Sequence, residues 1–267
     1  MSEAIKNTSD FLKDVRAMGQ YDFTVEQLAE KVPKPLKNII KDIDRLRRKG
    51  EVVNIRRGFY TLLPPEYRKM GLVPLDFYID GLMTYLSKQY YVGLHSAAMF
   101  HGAAHQQPQT FSVVVNSPKP RMVNNKNLVI HFSEKKHFPA FGIEKKKTET
   151  GYFNLSNPEL TFLDLIYFEK SSGGLNRIAT TLVGLADAIS LTRMKEAVGN
   201  DFPVSTLQRA GYIAEYVLDN SKLAAIFENK LASLSPQPIL LKSSGNKEGQ
   251  KDLKWKIIVN TQIESDI

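Results

Sequence analysis

Leu36-Lys37-Asn38-Ile39-Ile40-Lys41-Asp42-Ile43-Asp44-Arg45-Leu46-Arg47-Arg48 is the stretch on which the reading of this chain turns. Its apolar residues Leu36, Ile39, Ile40, Ile43 and Leu46 fall at offsets 0, 3, 4, 7 and 10, the period of an amphipathic helix. Pro35 suits a first helical position and Gly50 a terminator, which puts the helix at about 35–49. Lys34, Lys37, Asn38, Lys41, Arg45 and Arg48 gather opposite the apolar stripe.

Working outward, the neighbours on both sides are as informative. Upstream, residues 9–19 read as a first helix with Ser9 or Asp10 as cap and Phe11, Leu12, Val15 and Met18 as its apolar face. Thr24-Val25-Glu26-Gln27 has the capping-box pattern that opens a second helix, and Val32-Pro33 ends it. Downstream, Val52-Val53-Asn54-Ile55 and Phe59-Tyr60-Thr61-Leu62 flank Arg56-Arg57-Gly58, which reads as a β-hairpin. Three helices followed by a hairpin is the order of a winged helix-turn-helix. A winged domain over 1–70 is therefore expected, closed by Pro64-Pro65 and a linker over 64–74. A helix fits the major groove of DNA, where Asn can read adenine and Lys or Arg can read guanine. Arg56 and Arg57 sit where a wing would reach the backbone or the minor groove.

The remainder reads as a larger mixed α/β domain over 75–267, so the whole chain is expected to be α+β. Helices are expected near 75–88, 94–102, 158–170, 174–191, 203–218 and 220–234. Strands are expected near 110–116, 127–133, 238–242 and 254–260, with a mobile hairpin loop over 242–252. The chain has 267 residues, 42% of them apolar, enough for two ordinary domains with real cores. No cysteine occurs, which excludes a disulfide framework, a thiolate zinc site and a cysteine nucleophile. Met1 to Lys6 lacks a signal-peptide core, and no apolar run approaches the ~18 residues of a membrane span. A cytoplasmic location is the expectation.

The net charge of +8 is unevenly spread. Residues 1–73 hold 15 Lys and Arg against 10 Asp and Glu, and residues 119–147 hold 8 against 2. Clustered cations attract polyanions by counterion release. Lys135, Lys136, Lys145, Lys146 and Lys147 accordingly form a candidate second basic surface.

Catalytic readings find little support. Asp42 and Asp44 lie two apart on a helix, so their side chains diverge by about 200° and cannot share a metal. Glu134-Lys135-Lys136 and Glu144-Lys145-Lys146 imitate part of a nuclease motif, but residues 81–133 contain no Asp or Glu to complete it. His95, His101 and His105 lack a nearby carboxylate and read as packing or capping groups. Ser96 has no evident acid partner for a triad. Ser171-Ser172-Gly173-Gly174 lacks the lysine of a phosphate loop and reads as a turn. No catalytic residue, metal or cofactor is expected, and the chain reads as a binding protein, not an enzyme.

Four stretches together resemble the AbiEi-type antitoxins of type IV toxin–antitoxin (abortive infection) systems. They are Arg45-Leu46-Arg47-Arg48-Lys49-Gly50 with Arg57-Gly58-Phe59-Tyr60-Thr61-Leu62; Tyr90-Tyr91-Val92-Gly93-Leu94-His95-Ser96-Ala97-Ala98-Met99-Phe100-His101-Gly102; Leu207-Gln208-Arg209-Ala210-Gly211-Tyr212-Ile213; and Trp255-Lys256-Ile257-Ile258-Val259-Asn260. Ala210 departs from the family's Leu. The resemblance implies an autorepressor that binds inverted repeats in its promoter DNA. It also implies an antitoxin that counters a nucleotidyltransferase-like toxin, with or without a stable complex. The alternative is a stand-alone winged-helix regulator whose C-terminal domain senses a ligand.

Overall fold

The computed structural model describes residues 5–103, 110–125 and 128–264. The class is mixed α+β, with ten α-helices and three sheets among the described residues.

The first helix, α1 (Thr8–Ala17), is capped by Asn7, whose side chain accepts the Asp10 amide at 3.1 Å. The expected caps Ser9 and Asp10 lie inside the helix. Met18 stands past its end and is 63% exposed, so it leaves the apolar face read from the sequence. A short strand, β1 (Asp22–Thr24), comes next. Thr24 and Gln27 then form the expected reciprocal capping box of α2 (Val25–Lys31), with bonds of 2.8 and 3.1 Å.

Pro35 is the N-cap of α3 (Leu36–Arg48), one position earlier than expected. Only Ile39, Ile43 and Leu46 of its stripe are buried; Leu36 and Ile40 are 54% and 47% exposed. At about 100° per residue those two sit on one flank of the arc that the core covers. The hairpin follows as β2 (Val52–Arg56) and β3 (Phe59–Leu62), with Val52 opposite Leu62 and Asn54 opposite Tyr60. Gly58 makes the turn at φ +82°, a conformation that suits glycine. Strand β1 adds to β3 antiparallel, giving the order β1-β3-β2. Phe23, Leu28, Ile39, Ile43 and Leu62 fill the core beneath.

Residues 64–74 are not a bare linker. They contain a 3-10 turn at Pro65–Tyr67, and Leu72 and Val73 are buried. A further 3-10 turn at Leu75–Phe77 leads into α4 (Ile79–Tyr85), β4 (Tyr90–Val92) and α5 (Leu94–Phe100). Then come β5 (Thr110–Asn116), β6 (Val123–Asn125), β7 (Leu128–Lys135), β8 (Ile143–Thr148) and β9 (Gly151–Ser156). These strands form one sheet in the order β6-β7-β5-β4-β9-β8, with β8 at one end.

The helical portion comprises α6 (Pro158–Tyr167), α7 (Leu175–Leu185), α8 (Leu191–Ala197), α9 (Val204–Tyr216) and α10 (Ser221–Ala232). The single helix expected over 174–191 stops at Leu185. Helix α8, not anticipated, begins where the Ser190 side chain caps Arg193. Helix α6 is buried on nearly every side, with Phe162, Leu163, Leu165 and Ile166 in the main core.

The C-terminal strands β10 (Ile239–Leu240), β11 (Gln250–Asp252) and β12 (Ile257–Val259) form a small sheet ordered β10-β12-β11. The expected hairpin between 238–242 and 254–260 is corrected: β10 and β12 run parallel, and β11 is the antiparallel partner of β12. The Asn260 side chain holds the intervening loop, accepting the Lys242 amide and donating to the Lys242 and Asn246 carbonyls.

By its contacts the chain divides into two compact units. One comprises Met1–Tyr90, Pro118–Phe132 and Lys145–Asn154, the other Tyr91–Ser117, Ser133–Glu144 and Leu155–Ile267. Among the described residues no helix is long and apolar enough to cross a membrane.

Candidate nucleic-acid interface

Within the first unit, α3 turns Ile39, Ile43 and Leu46 into the core and so presents its opposite face to solvent. Lys37, Asn38, Lys41, Arg45 and Arg48 on the helix, and Lys34 just before it, are all exposed. Asp42 organises two of these cations. It accepts Lys34 Nζ at 2.9 Å, Arg45 Nη2 at 3.0 Å and, from α1, Thr8 Oγ1 at 2.9 Å. The Lys34 hydrogen bond holds the Asp42 carboxyl below its ordinary value, with Thr8 and Arg45 adding to it. Exposed pairs of this kind contribute little to stability. They do restrict where the two cations point. Asp44 instead pairs with Arg47 at 3.3 Å.

At the hairpin, Asn54 Nδ2 donates to the Arg56 carbonyl at 2.8 Å, and the Tyr85 hydroxyl donates to the Arg57 carbonyl at 3.0 Å. Arg57 is exposed. Arg56 is half-buried, with Nη1 donating to the Arg121 carbonyl at 3.0 Å. That bond brings exposed Arg121 beside the hairpin. Sequence reasoning did not single it out, although it lies in the second basic block.

That second block is divided between the two units. Lys145, Lys146 and Lys147 are exposed on β8 and belong to the first unit, whereas Lys135 and Lys136 belong to the second. Lys136 is exposed, but Lys135 is not a surface residue. Its ammonium lies 2.5 Å from the fully buried Asp164, with only 9% of its side chain exposed. It also sits 4.5 Å from the centre of the Phe202 ring and 5.6 Å from that of Tyr167. The Tyr91 hydroxyl donates to the other Asp164 oxygen at 2.6 Å. Burial, followed by the Asp164 charge, raises the Tyr91 hydroxyl well above its ordinary value. A buried ammonium requires such a partner. A cavity of about 510 Å³ opens beside this group, walled by Phe138, Tyr167 and Phe202.

The histidines and serines weighed for catalysis are engaged in the second unit. His95 pairs through Nδ1 with Thr181 Oγ1 at 2.9 Å, and through Nε2 with the Ser172 carbonyl at 2.7 Å. Burial lowers its pKa. His101 Nε2 donates to the Ser156 carbonyl at 2.7 Å, and His105 lies outside the described residues. Ser96 Oγ accepts the Ser112 amide. Ser172 and Gly174 amides bond back to Phe168 and Glu169, making a turn between α6 and α7. Among the described residues, no three His, Asp or Glu side chains converge as a metal site.

Two of the stretches that carried the resemblance meet each other. From α9, Gln208 Nε2 donates to the Trp255 and Gln237 carbonyls at 2.9 and 3.0 Å, and Arg209 donates to those of Leu240 and Leu241. Gly211 lies directly against the buried Trp255 ring, whose Nε1 donates to Glu215 at 2.6 Å. Leu207-to-Ile213 is thus the seat of the C-terminal segment.

The crystal structure of the RV2827C protein from Mycobacterium tuberculosis superposes with a TM-score of 0.65 over 96% of this chain and 92% of that one. The two share 17% sequence identity, so the likeness is one of fold. No curated protein matches the chain. The family model described as the AbiEi antitoxin C-terminal domain matches residues 91–216, a span that contains the His95–His101 segment, α6 and α9. Over residues 91–216 the chain is therefore similar to the AbiEi antitoxin C-terminal domain family.

Proposed function

We propose that this protein is a DNA-binding autorepressor and the antitoxin of a type IV toxin–antitoxin pair. The observation that carries the DNA half is the exposed face of α3, where five cations and Asn38 surround a helix otherwise packed on its own core. In this reading residues 1–70 are a winged helix-turn-helix. The order α1-β1-α2-α3-β2-β3, with β1 added to the hairpin, supports it. Helix α3 enters the major groove and Arg57 on the wing meets the backbone. The partner is double-stranded promoter DNA with inverted repeats.

The antitoxin half rests on the family match. Residues 75–267 then form the domain that neutralises a nucleotidyltransferase-like toxin, either through a stable complex or without one.

A gel-shift titration on the upstream promoter over a range of salt tests the DNA half. Replacing Lys41, Arg45 and Arg57 together by Ala should weaken binding and lower the log–log salt slope by about 3, one released counterion per cation. An unchanged slope and affinity would sink the interface. Co-expression with a neighbouring nucleotidyltransferase-like gene tests the rest: rescue of growth is expected, and continued toxicity counts against it.

The cavity beside Lys135 favours a second reading, a regulator whose larger domain senses a small molecule. The absence of any toxin gene beside this one would favour it over the first.

A further inference from the structure

Two aliphatic side chains stand among the cations of α3. Leu36 and Ile40 are 54% and 47% exposed, although both belong to the apolar stripe of the sequence. A single exposed leucine needs no explanation. Here the two are four residues apart, so they adjoin on the helix surface and make one apolar patch. Each is followed directly by a lysine, Lys37 and Lys41. The patch therefore lies at the flank of the basic face, with Ile40 about 60° and Leu36 about 100° from Lys37 around the helix.

We propose that Leu36 and Ile40 read the C5 methyl groups of thymine in the major groove. The proposal rests on the DNA-binding reading of α3 given above. The methyl is the apolar group that base pairs display in that groove, and apolar side chains recognise it there. Charge decides the occupant. A second copy of this chain docking the same face would bring Lys34, Lys37 and Lys41 of each copy against their equivalents, since a two-fold contact pairs like patches. A polyanionic duplex instead neutralises those lysines while covering the patch. The rise from Leu36 to Ile40 is about 6 Å, so the two side chains reach thymines within about two base steps of each other.

The test uses the full chain and a duplex from upstream of its coding sequence. After footprinting, each thymine in the protected region is replaced singly by deoxyuridine, which keeps the base pair and removes only the methyl. One or two positions should each weaken binding about fourfold, the worth of one buried methyl-sized group. The salt slope should not change, because no cation is lost. In Leu36→Ala or Ile40→Ala, replacement at the matching thymine should cost nothing more. Tolerance of deoxyuridine everywhere, or variants that respond as the wild type does, overturns the proposal while leaving the autorepressor reading intact. Loss of self-association in Ile40→Ala, with every replacement tolerated, assigns the patch to a second copy and overturns it too. If no upstream duplex binds at all, the DNA-binding reading fails and this proposal fails with it. The deoxyuridine series uses unaltered protein, so a misfolded variant cannot mask the result.

Discussion

Single residues explain why some of the familiar stretches look as they do. Gly211 leaves no room for a side chain, because a Cβ there would run into the Trp255 ring. Trp255 is 1% exposed and closes the core over α9. Gly211→Ala should therefore cost about 1–3 kcal/mol through overpacking, despite the better helix propensity of alanine. Urea unfolding followed by the emission of Trp255, the chain's single tryptophan, reads this directly. An unchanged midpoint would mean that the ring can move aside at no cost. Lys135 shows the opposite case, a residue whose neighbours in sequence misdescribe it. It sits in a run of charge that reads as solvated, yet it is internal because Asp164, far along the chain, supplies its counter-charge. Nothing local encodes that pairing.

At the scale of elements, legibility followed the strength of local rules. The capping box of α2 and the two-stranded hairpin were readable because each is complete within a few residues. Strands β1 and β4, three residues each, have no period to detect and exist only by pairing with distant partners. Strand β8 is Ile-Glu-Lys-Lys-Lys-Thr, a poor strand by composition. It forms at one end of the six-stranded sheet, where exposed lysines are a common protection against pairing with another chain. Replacing Lys145, Lys146 and Lys147 by Thr should accordingly promote concentration-dependent association, measurable by light scattering, without loss of helical signal. A variant that stays monodisperse at high concentration would remove this role.

For the molecule as a whole, pH sets opposing demands. Burial, reinforced by the Asp80 charge, raises the Asp22 carboxyl to about 7. Its folded pKa exceeds its unfolded one, so the folded state holds the extra proton, and stability declines as pH rises from about 4 to about 7. The full decline is at most about 4 kcal/mol. His95 works the other way: burial lowers its pKa, so stability is lost as pH falls below the ordinary histidine range. Asp22→Asn should flatten the fall between pH 5 and 8 and leave the loss at lower pH in place. Chemical denaturation at pH 5, 6.5 and 8 checks this, and an unaltered profile in the variant would rule Asp22 out.

The sequence alone determined the helices with strong periods and caps, the hairpin, the basic face of α3 and the resemblance that the family match bears out over residues 91–216. These depend on contacts within a turn or two of the chain, which local physical chemistry prescribes. The tertiary structure decided what depends on distant partners. It placed Asp164 beside Lys135, took Arg56 to the Arg121 carbonyl and turned β12 to pair with β10 and β11. It also narrowed the apolar stripe of α3. A helical period marks which residues share a side, but the width of the core beneath decides how many are covered. That difference is why Leu36 and Ile40 remain at the surface beside the lysines.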